Sequence, residues 1–307
     1  MFLDSISKNF IGELPDSNYV FLAKPPVELG KVLMGHSTIK SGKKIPSSNE
    51  QIIHTILWGL LGVAIAVAII YFGGVYKIGW RIFWVLLLGL GIAAVRASMF
   101  NYVNYYLGEQ GLAKITMKSE DEVKKESILL FKDAAYMVKG LTDRYKNFVY
   151  QGTDFSYEWF DLGGEKLYTI SGTYQSKEGT PKYTASYEYY WGLEAEKLWT
   201  ERIYQQALSE IKTMGYYEFG SKYGFKYRLG FGFIEKIDSK DRSIKINEAD
   251  IKESYAKKGI LYIKTYTGSS WFHKGDAIEI EFNDIHNSRV FLSLYYQMIK
   301  VGISTDK

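Results

Sequence analysis

Two groups of basic residues are the first candidates for chemistry in this sequence, and that chemistry is the binding of an anionic surface. The groups are Lys139, Arg144 and Lys146 around the stretch KGLTDRYKN, and Lys222, Lys226 and Arg228 on one face of a predicted strand. Each cation near an anionic leaflet contributes about 1 kcal/mol. The alternative is the solvated polar face that an antiparallel sheet normally has.

Other reactive residue types are scattered or absent. The chain has no cysteine, which excludes disulfides and thiolate metal sites, and its four histidines lie far apart in sequence. Phosphate-binding, dinucleotide-binding and zinc-hydrolase motifs are missing. The net charge of +4 is modest and spread out, which argues against nucleic-acid binding. We therefore predict no cofactor, and we interpret His286 as structural.

Carboxylate pairs and a tyrosine cluster keep an enzymatic function open. Glu158 with Asp161 and Glu194 with Glu196 could supply a general acid and base, although solvated faces explain them as well. The cluster lies in the first strand-rich region and comprises Tyr183, Tyr187, Tyr189, Tyr190 and Trp191. It is either sheet packing or an aromatic ligand groove.

Two apolar runs predict a transmembrane hairpin. Residues 52–72 carry no formal charge and are long enough to span a bilayer core of about 30 Å. A second run, 82–95, is bounded by Arg81 and Arg96, and aromatic residues stand near the ends of both runs. Lysines before the first run and basic residues after the second predict that both termini are cytoplasmic.

Small residues recur every four positions within these runs. They are Gly62 and Ala66 in the first run and Gly89, Ala93 and Ala97 in the second. Such stripes let helix backbones approach closely. Either the hairpin packs on itself, or the stripes bind a partner helix or a second copy. The aromatic stretch 98–112 is interpreted as a continuation of the second helix through the headgroup region.

The rest of the chain predicts an α+β fold with antiparallel sheets. Strand-like stretches rich in Tyr, Phe, Val, Ile and Thr, among them residues 182–191, precede an amphipathic helix that ends at Gly215. A second set of strands then leads to a final helix that Asn287 or Ser288 can cap. We predict an arm at 1–50, the hairpin at 51–112, a linker at 113–126, and two units of strands closed by a helix, at 127–215 and 216–307.

Two stretches resemble a bacterial membrane-anchored family of unknown function that has an N-terminal transmembrane hairpin and a pleckstrin-homology-like soluble region. They are LFKDAAYMVKG at 130–140 and NDIHNSRVFLSLYYQMI at 283–299. In the second, Ile285 and Asn287 keep the family's Ile-Pro-Asn pattern, and His286 replaces the proline. The resemblance implies a membrane-attached protein with a pleckstrin-homology-like soluble region, and it implies no catalytic residue. The division of that region into two pleckstrin-homology-like domains is our own inference from the two sets of strands and helix, and we expect a two-pass protein of the bacterial inner membrane.

These observations favour a non-enzymatic integral membrane protein that acts as an adaptor, scaffold or accessory subunit. The expected partners are the lipid bilayer and a membrane protein or a second copy of the chain. An anionic-lipid surface sensor that uses the two basic groups is the first alternative. A membrane enzyme with its site in the Tyr-rich region is the second.

Overall fold

The structure is a computed structural model, and it confirms the predicted α+β class. It describes residues 21–38, 47–72, 83–85, 87–93, 101–119, 122–175, 187–266, 277–299 and 303–305. The chain divides into two compact units, Met1–Leu130 and Phe131–Lys307. The predicted boundary at 126/127 falls inside a strand, and the one at 215/216 falls inside the second unit.

The first unit is built on a four-stranded antiparallel sheet in the order β1-β2-β3-β4. The strands are β1 Val32–Ser37, β2 Tyr102–Gly108, β3 Gly111–Met117 and β4 Val123–Leu130. One face buries Tyr106, Ala113, Ile115 and Met117 together with Leu29. These residues alternate along β2 and β3, as the period of two in a strand requires.

Part of the predicted arm belongs to this sheet. Phe21, Leu22 and Ala23 pack against the sheet's buried face, and the Tyr106 hydroxyl donates a hydrogen bond to the Ala23 carbonyl. Residues 32–37 form an edge strand of the sheet. The segment 21–37 is therefore an integral part of the first unit.

Two apolar helices lie in the chain between β1 and β2. Helix α1 is Ser48–Phe72, and the shorter α2 is Phe83–Ala93. Within the described residues, Asn49–Ile69 alone is long and apolar enough to cross a membrane; its mean hydropathy is 2.3, and 11% of it is buried. Many large apolar side chains of α1 are exposed, and Ile52, Leu60 and Ile69 are each more than half exposed.

Two sequence-based predictions in this unit are wrong. The described part of the stretch 98–112, from residue 101 onward, is not helical, because β2 begins at Tyr102 and pairs with β3 through a tight turn at Glu109 and Gln110. The stretch 113–126 is not a linker, because it contributes to β3 and β4. Tyr, Val, Ile and Thr favour an extended backbone, and pairing along a sheet outweighs the weak helical periodicity of this stretch.

The second unit begins with a three-stranded meander and a long helix. The strands are β5 Tyr136–Lys146, β6 Val149–Phe160 and β7 Lys166–Tyr174, in the order β5-β6-β7, and the helix is α3 Tyr187–Met214. Trp191, Trp199, Ile203, Ala207 and Ile211 form its buried face. The strand prediction for 182–191 is wrong from Tyr187 onward, since residues 187–191 continue this buried helical stripe toward the N-terminus.

Eight further strands and a helix complete the second unit. A four-stranded antiparallel sheet has the order β11-β10-β9-β8 and consists of β8 Tyr216–Gly220, β9 Lys226–Gly230, β10 Phe233–Ile237 and β11 Ser243–Asn247. The next sheet consists of β12 Ile251–Lys257, β13 Ile260–Thr265, β14 Ala277–Glu281 and the parallel strand β15 Ile303–Thr305. Helix α4, Ser288–Met298, buries Val290, Phe291, Leu294, Tyr295 and Met298.

Asn287 joins the early and late elements of this unit. Its side-chain Oδ1 accepts hydrogen bonds from the Met137 amide at 3.0 Å and from the Trp199 indole N–H at 2.8 Å, and its own amide donates to the Met137 carbonyl. The residue is 5% exposed and has φ 53°, in the left-handed region. Its side chain therefore does not cap α4, contrary to one of the two predicted caps. It holds β5, α3 and the start of α4 together instead.

Candidate functional site

The first predicted basic group is divided between the two faces of β5. Lys139 lies on the face of the odd-numbered residues, whereas Arg144 and Lys146 lie on the opposite face. The turn follows at Asn147 and Phe148, both with positive φ, so KGLTDRYKN is mainly strand and does not form a cationic loop. The Arg144 Nε lies 3.2 Å from the Asp154 carboxylate on β6.

Lys139 contacts one of the predicted acidic residues. Its Nζ lies 2.8 Å from Glu196 Oε2 and 5.2 Å from the centre of the Tyr157 ring. Arg289 on α4 approaches the same carboxylate at 3.7 Å. The Glu196 side chain is 2% exposed, so it requires these cations to offset its lost hydration. The three side chains link β5, α3 and α4.

A cleft of about 930 Å³ opens beside this ion pair. Its wall on β5 consists of the odd-numbered residues Lys139, Leu141, Asp143 and Tyr145. The facing side is formed by the β12–β13 turn, the segment after β14 and the first turn of α4; it comprises Lys258, Gly259, Phe282, Asn283, Ser288, Arg289 and Leu292. This volume is within the range of protein ligand sites.

A chain of hydroxyl groups lines the β6 side of the cleft. The Tyr150 and Thr153 hydroxyl oxygens are 2.7 Å apart, and the Thr153 hydroxyl donates to the Asp143 carboxylate at 2.6 Å. Burial raises the pKa of Tyr174, which also lines the cleft, although its hydrogen bond with Thr153 acts in the opposite direction. The Asp143 carboxylate is thus held as an acceptor within the sheet.

The second basic group was predicted to share one strand face, but only Lys226 and Arg228 lie on β9, where they are paired with carboxylates. Lys226 and Arg228 lie on the solvent side of β9 at 3.5 Å and 2.9 Å from the Glu218 carboxylate, and Arg228 is 3.6 Å from Glu235. The hydrogen bond with Glu218 raises the pKa of Arg228. Lys222 lies in the turn before β9, where its amide donates to the Asp284 carbonyl. Acidic neighbours therefore offset the positive charge of this face.

The predicted carboxylate pairs have separate structural contacts. Glu158 accepts a hydrogen bond from Lys166 at 3.0 Å, and Asp161 accepts one from the Glu165 amide at 2.8 Å. Glu194 is 2% exposed and is paired with Lys197 on the same helix, one turn further along. Each of the four carboxylates therefore has its own hydrogen-bond or ion-pair partner, Glu196 with Lys139 as described above.

The tyrosine cluster packs in the core. Tyr189 is 6% exposed, with its ring 5.5 Å from Phe155 and 5.0 Å from Tyr174, and burial raises its pKa to about 12. Trp191 is fully buried. Tyr190 contacts the Tyr189 ring. Tyr183 and the Tyr187 side chain lie outside the described residues.

The described histidines are dispersed. His286 stacks on Tyr136 with ring centres 3.7 Å apart, and its amide donates to the Gly220 carbonyl. Burial lowers the pKa of both His286 and His36 to about 4. His54 is exposed on α1, and His273 lies outside the described residues. Among described residues, no group of three or more His, Cys, Asp or Glu side chains could hold a metal.

The small-residue stripes of α1 and α2 face each other. A Cβ placed on Gly62 would lie 3.1 Å from the Gly89 Cα, and one placed on Gly59 would lie 3.5 Å from the Ala93 Cβ. Ala66 is 4% exposed on the same stripe. Ala97 lies outside the described residues. Gly59, which was not predicted, extends this stripe by one turn. Its position three residues before Gly62 is the sequence feature that could have identified it.

Asn287 is the residue whose role sequence reasoning missed most clearly, because its partners Met137 and Trp199 are distant in the chain.

No family model matches the sequence, and a search of curated proteins found no match.

Proposed function

We propose that this chain is a non-enzymatic integral membrane protein of the bacterial inner membrane, with two spans, and that it acts as an adaptor or accessory subunit through its extramembrane domain. The observation that carries the proposal is the pairing of β1 with β2 around an apolar connection. Ser37 lies opposite Asn104, so the connection 38–101 starts and ends on neighbouring strands. Paired residues in an antiparallel ladder are about 5 Å apart.

This pairing supports an even number of bilayer crossings by the connection. Its two ends must lie on the same side of the membrane, and the number of crossings is therefore even. If α1 crosses, a second crossing must follow before Tyr102, and the run 82–95 is the apolar segment available. The lysines before α1 and the basic residues after α2 favour the cytoplasm for that side.

The surface of α1 supports a span rather than a soluble core helix. Its exposed face carries Ile52, Leu57, Leu60 and Ile69, each more than half exposed, which is costly in water and favourable in lipid. The protected face carries small residues against α2, the usual way in which helices approach in a bilayer. Gln51 at the start of α1 donates to the Lys118 carbonyl at 2.6 Å and ties the helix to the sheet.

The order of elements supports tandem pleckstrin-homology-like units. A four-stranded meander, a three-stranded meander and a helix follow one another twice along the chain. The first series runs from β1 to α3, and the second runs from β8 to α4. We propose that the first pleckstrin-homology-like unit begins with β1 and not at residue 127. The membrane hairpin then interrupts this pleckstrin-homology-like unit between its first two strands.

The contacts in the cleft favour binding over catalysis. Its two carboxylates are already engaged, Glu196 by Lys139 and Arg289, and Asp143 by the Thr153 hydroxyl. A general acid or base requires a proton-transfer group that can reach a substrate. A cleft with engaged carboxylates, basic side chains and aromatic walls is suited to holding another molecule.

The mass of the intact assembly tests the adaptor function. The protein is extracted from its native membrane in mild detergent and measured by native mass spectrometry. We expect a mass above the 35.2 kDa of one chain by a defined protein partner or by further copies. A single chain in every preparation, including after mild crosslinking in the membrane, would contradict the proposal.

A second candidate function, sensing of an anionic lipid surface, is favoured by the β5–β6 turn. Phe148 is fully exposed at the turn with φ 64°, and Lys146, Tyr145 and Val149 surround it. An exposed aromatic residue with an adjacent cation is suited to a headgroup layer. Loss of co-sedimentation with anionic vesicles on Phe148→Ser would support this role, and unchanged co-sedimentation would exclude it for this turn.

A further inference from the structure

Among the described residues, no strand pairs with the outer edge of β5, which runs beside the cleft. We propose that it binds an extended, acidic segment of a protein partner, which adds to the three-stranded sheet as a fourth strand. This inference rests on the proposed adaptor function and assigns the surface that performs it. β5 pairs with β6 on one side only, in a sheet of order β5-β6-β7.

Hydrogen bonds at the start of β5 show which backbone groups face outward. The Met137 amide donates to the Asn287 side chain, and the Met137 carbonyl accepts from the Asn287 amide at 2.8 Å. Four residues further along, the Leu141 carbonyl accepts from the Asn283 side chain at 3.3 Å. Outward-facing groups alternate along a strand. Those of Lys139, Asp143 and Tyr145 therefore face the same way.

These outward groups are available to a partner. Within the described residues no backbone group pairs with the outward side of Lys139, Asp143 or Tyr145. Residues 141–146 are exposed. A long exposed edge strand is a template for another strand, and proteins normally protect it with a short length, a bulge or a covering element. Here the two asparagines protect only the first part of the edge.

The cleft provides space along the same edge. Its β5 wall consists of Lys139, Leu141, Asp143 and Tyr145, all on the odd-numbered face. At about 3.3 Å per residue this wall is roughly 20 Å long, enough for an extended segment of about six residues. Peptides that add to a sheet edge gain affinity from main-chain bonds and specificity from pockets for alternate side chains.

The lining of the cleft carries three cations, Lys139, Lys258 and Arg289, and two carboxylates, Asp143 and Glu196, and this net positive charge favours an acidic segment. Lys139 and Arg289 already share Glu196, whereas Lys258 makes no ion pair among the described residues. Lys258 and Gly259 form the tight two-residue turn between β12 and β13, and Lys258 has φ 50°. Lys258 lines the cleft on the side that faces β5. A carboxylate on the segment could pair with Lys258 and approach the partly exposed Arg289.

Apolar side chains at the far end indicate a second requirement. Tyr145 is 64% exposed, Phe148 101% and Val149 60%. Tyr145 lies at the end of the cleft wall, and Phe148 and Val149 follow it at the end of the β5–β6 hairpin. An apolar residue of the segment would cover part of this surface. We therefore expect an extended sequence with an acidic residue near Lys258 and an apolar residue near Tyr145.

Peptide selection against the full-length protein in a lipid nanodisc tests the proposal. Random decapeptides displayed on phage are selected, and the enriched sequences are synthesised with a fluorophore for anisotropy titration. We expect enrichment of acidic residues. N-methylation of one set of alternate residues should weaken binding at least tenfold, and methylation of the other set should leave it within threefold, because only one set bonds the β5 edge.

Variants of one β5 residue separate the main chain from the side chain. Asp143→Pro removes an outward N–H, which an edge strand tolerates, and should weaken the selected peptides at least tenfold. Asp143→Ala removes the same carboxylate but keeps the N–H, so it should bind the selected peptides at least tenfold more tightly than Asp143→Pro. Leu162→Pro, in the exposed β6–β7 turn, is the control for a new proline in the same sheet. Circular dichroism confirms that each variant is folded.

A charge reversal tests the acidic requirement. Lys258→Glu should weaken the selected peptides about tenfold, and Lys252→Glu, an exposed lysine outside the cleft, should leave binding unchanged. Equal effects of the two reversals would overturn the assignment of Lys258. No enriched peptide, equal effects of both methylation sets, or equal binding by Asp143→Pro and Asp143→Ala would overturn strand addition.

The assembly mass distinguishes failure of this surface from failure of the proposed function. If a defined partner persists in native mass spectrometry while the peptide tests fail, the adaptor function stands and the partner binds elsewhere. If neither a partner nor peptide binding is found, both proposals are contradicted. If Phe148→Ser abolishes binding to anionic vesicles and no peptide is enriched, the hairpin end contacts lipid and the strand-addition proposal is overturned.

Discussion

The four-stranded sheets β1–β4 and β8–β11, called the first and second sheets below, differ most at the connection between their first and second strands. In the second sheet, residues 221–225 join β8 to β9 as a short turn, with Gly220 opposite Lys226. In the first sheet, residues 38–101 join β1 to β2 and include α1 and α2, with Ser37 opposite Asn104. Strand pairing fixes where a connection starts and ends and leaves its length free, because loop entropy grows slowly with length.

Replacing the long connection with the short one is the most drastic way to break this comparison. A chain in which residues 38–101 are replaced by Ser-Lys-Tyr-Gly-Phe, the turn of the second sheet, should lose nearly all membrane attachment and keep its sheets. Membrane fractionation with a carbonate wash and circular dichroism measure the two properties. A folded variant that stayed in the washed membrane pellet would show that the attachment lies elsewhere.

The stability of the second unit should depend strongly on one side chain, that of Asn287 before α4. Asn287→Ala leaves the buried Met137 amide and the Trp199 indole N–H without their acceptor, and each unsatisfied donor costs about 1–3 kcal/mol. We expect the free energy of unfolding of the second unit to fall by roughly 2–4 kcal/mol, measured by chemical denaturation with tryptophan fluorescence. Asn283→Ala, which removes one exposed hydrogen bond, is the matched control and should cost less than about 1 kcal/mol.

The long connection can be tested at its helix contact. Because the chain has no cysteine, Gly59→Cys with Ala93→Cys should form a disulfide, since the Cβ separation of 3.5 Å suits one. Adding Gly89→Leu, where a Cβ already meets Val63 at 2.8 Å, should reduce the crosslinked fraction severalfold. Gly91→Leu is the control, because a Cβ there meets nothing within 4 Å. Equal crosslinking in both leucine variants would argue against the packed hairpin.

Each of these two sheets has a partly buried histidine at its first strand: His36 lies in β1, and His286 bonds to Gly220 of β8. The pH dependence of stability therefore offers a further comparison. Burial lowers the pKa of His286 and His36 to about 4 from an ordinary value near 6.5. The folded protein therefore binds fewer protons than the unfolded chain between these values, and its stability falls as the pH drops from 6.5 toward 4.

His286→Phe should remove the part of this acid-induced loss of stability that His286 causes. After allowance for partial exposure, we expect that share to be about 1–2 kcal/mol, and the phenylalanine should still stack on Tyr136. Thermal denaturation from pH 7 to pH 4.5 measures it. A stability that falls equally in the variant and the unaltered protein would assign the effect to His36 or to other groups.

Sequence reasoning recovered elements whose partners are local. The helix ending near Gly215, the final helix and the alternating strand at 277–281 follow from periodicity alone. The first sheet was missed because β1 pairs with a strand beyond the apolar connection, and no local pattern shows a pairing over that distance. The alternation in β2 and β3 was present, with a two-residue turn between them, and was obscured by the neighbouring apolar run.

The candidate site was predicted in part for a similar reason. Lys139 was identified as a candidate, but its partner Glu196 and the cleft depend on tertiary contacts with α3 and α4. Arg144 and Lys146 were grouped with Lys139 because they are close in sequence, and the strand alternation separates them. Asn287 was interpreted as a helix cap from its residue type, and only its distant partners show what it does.

The sidedness of the connection tests the central claim most directly. Single cysteines replace Gly74, between the two apolar runs, or Glu109, in the β2–β3 turn, and intact spheroplasts are treated with a membrane-impermeant maleimide. We predict labelling of Gly74→Cys in intact spheroplasts and labelling of Glu109→Cys only after permeabilisation. Labelling of both cysteines, or of neither, in intact spheroplasts would place them on the same side and contradict the two-span insertion.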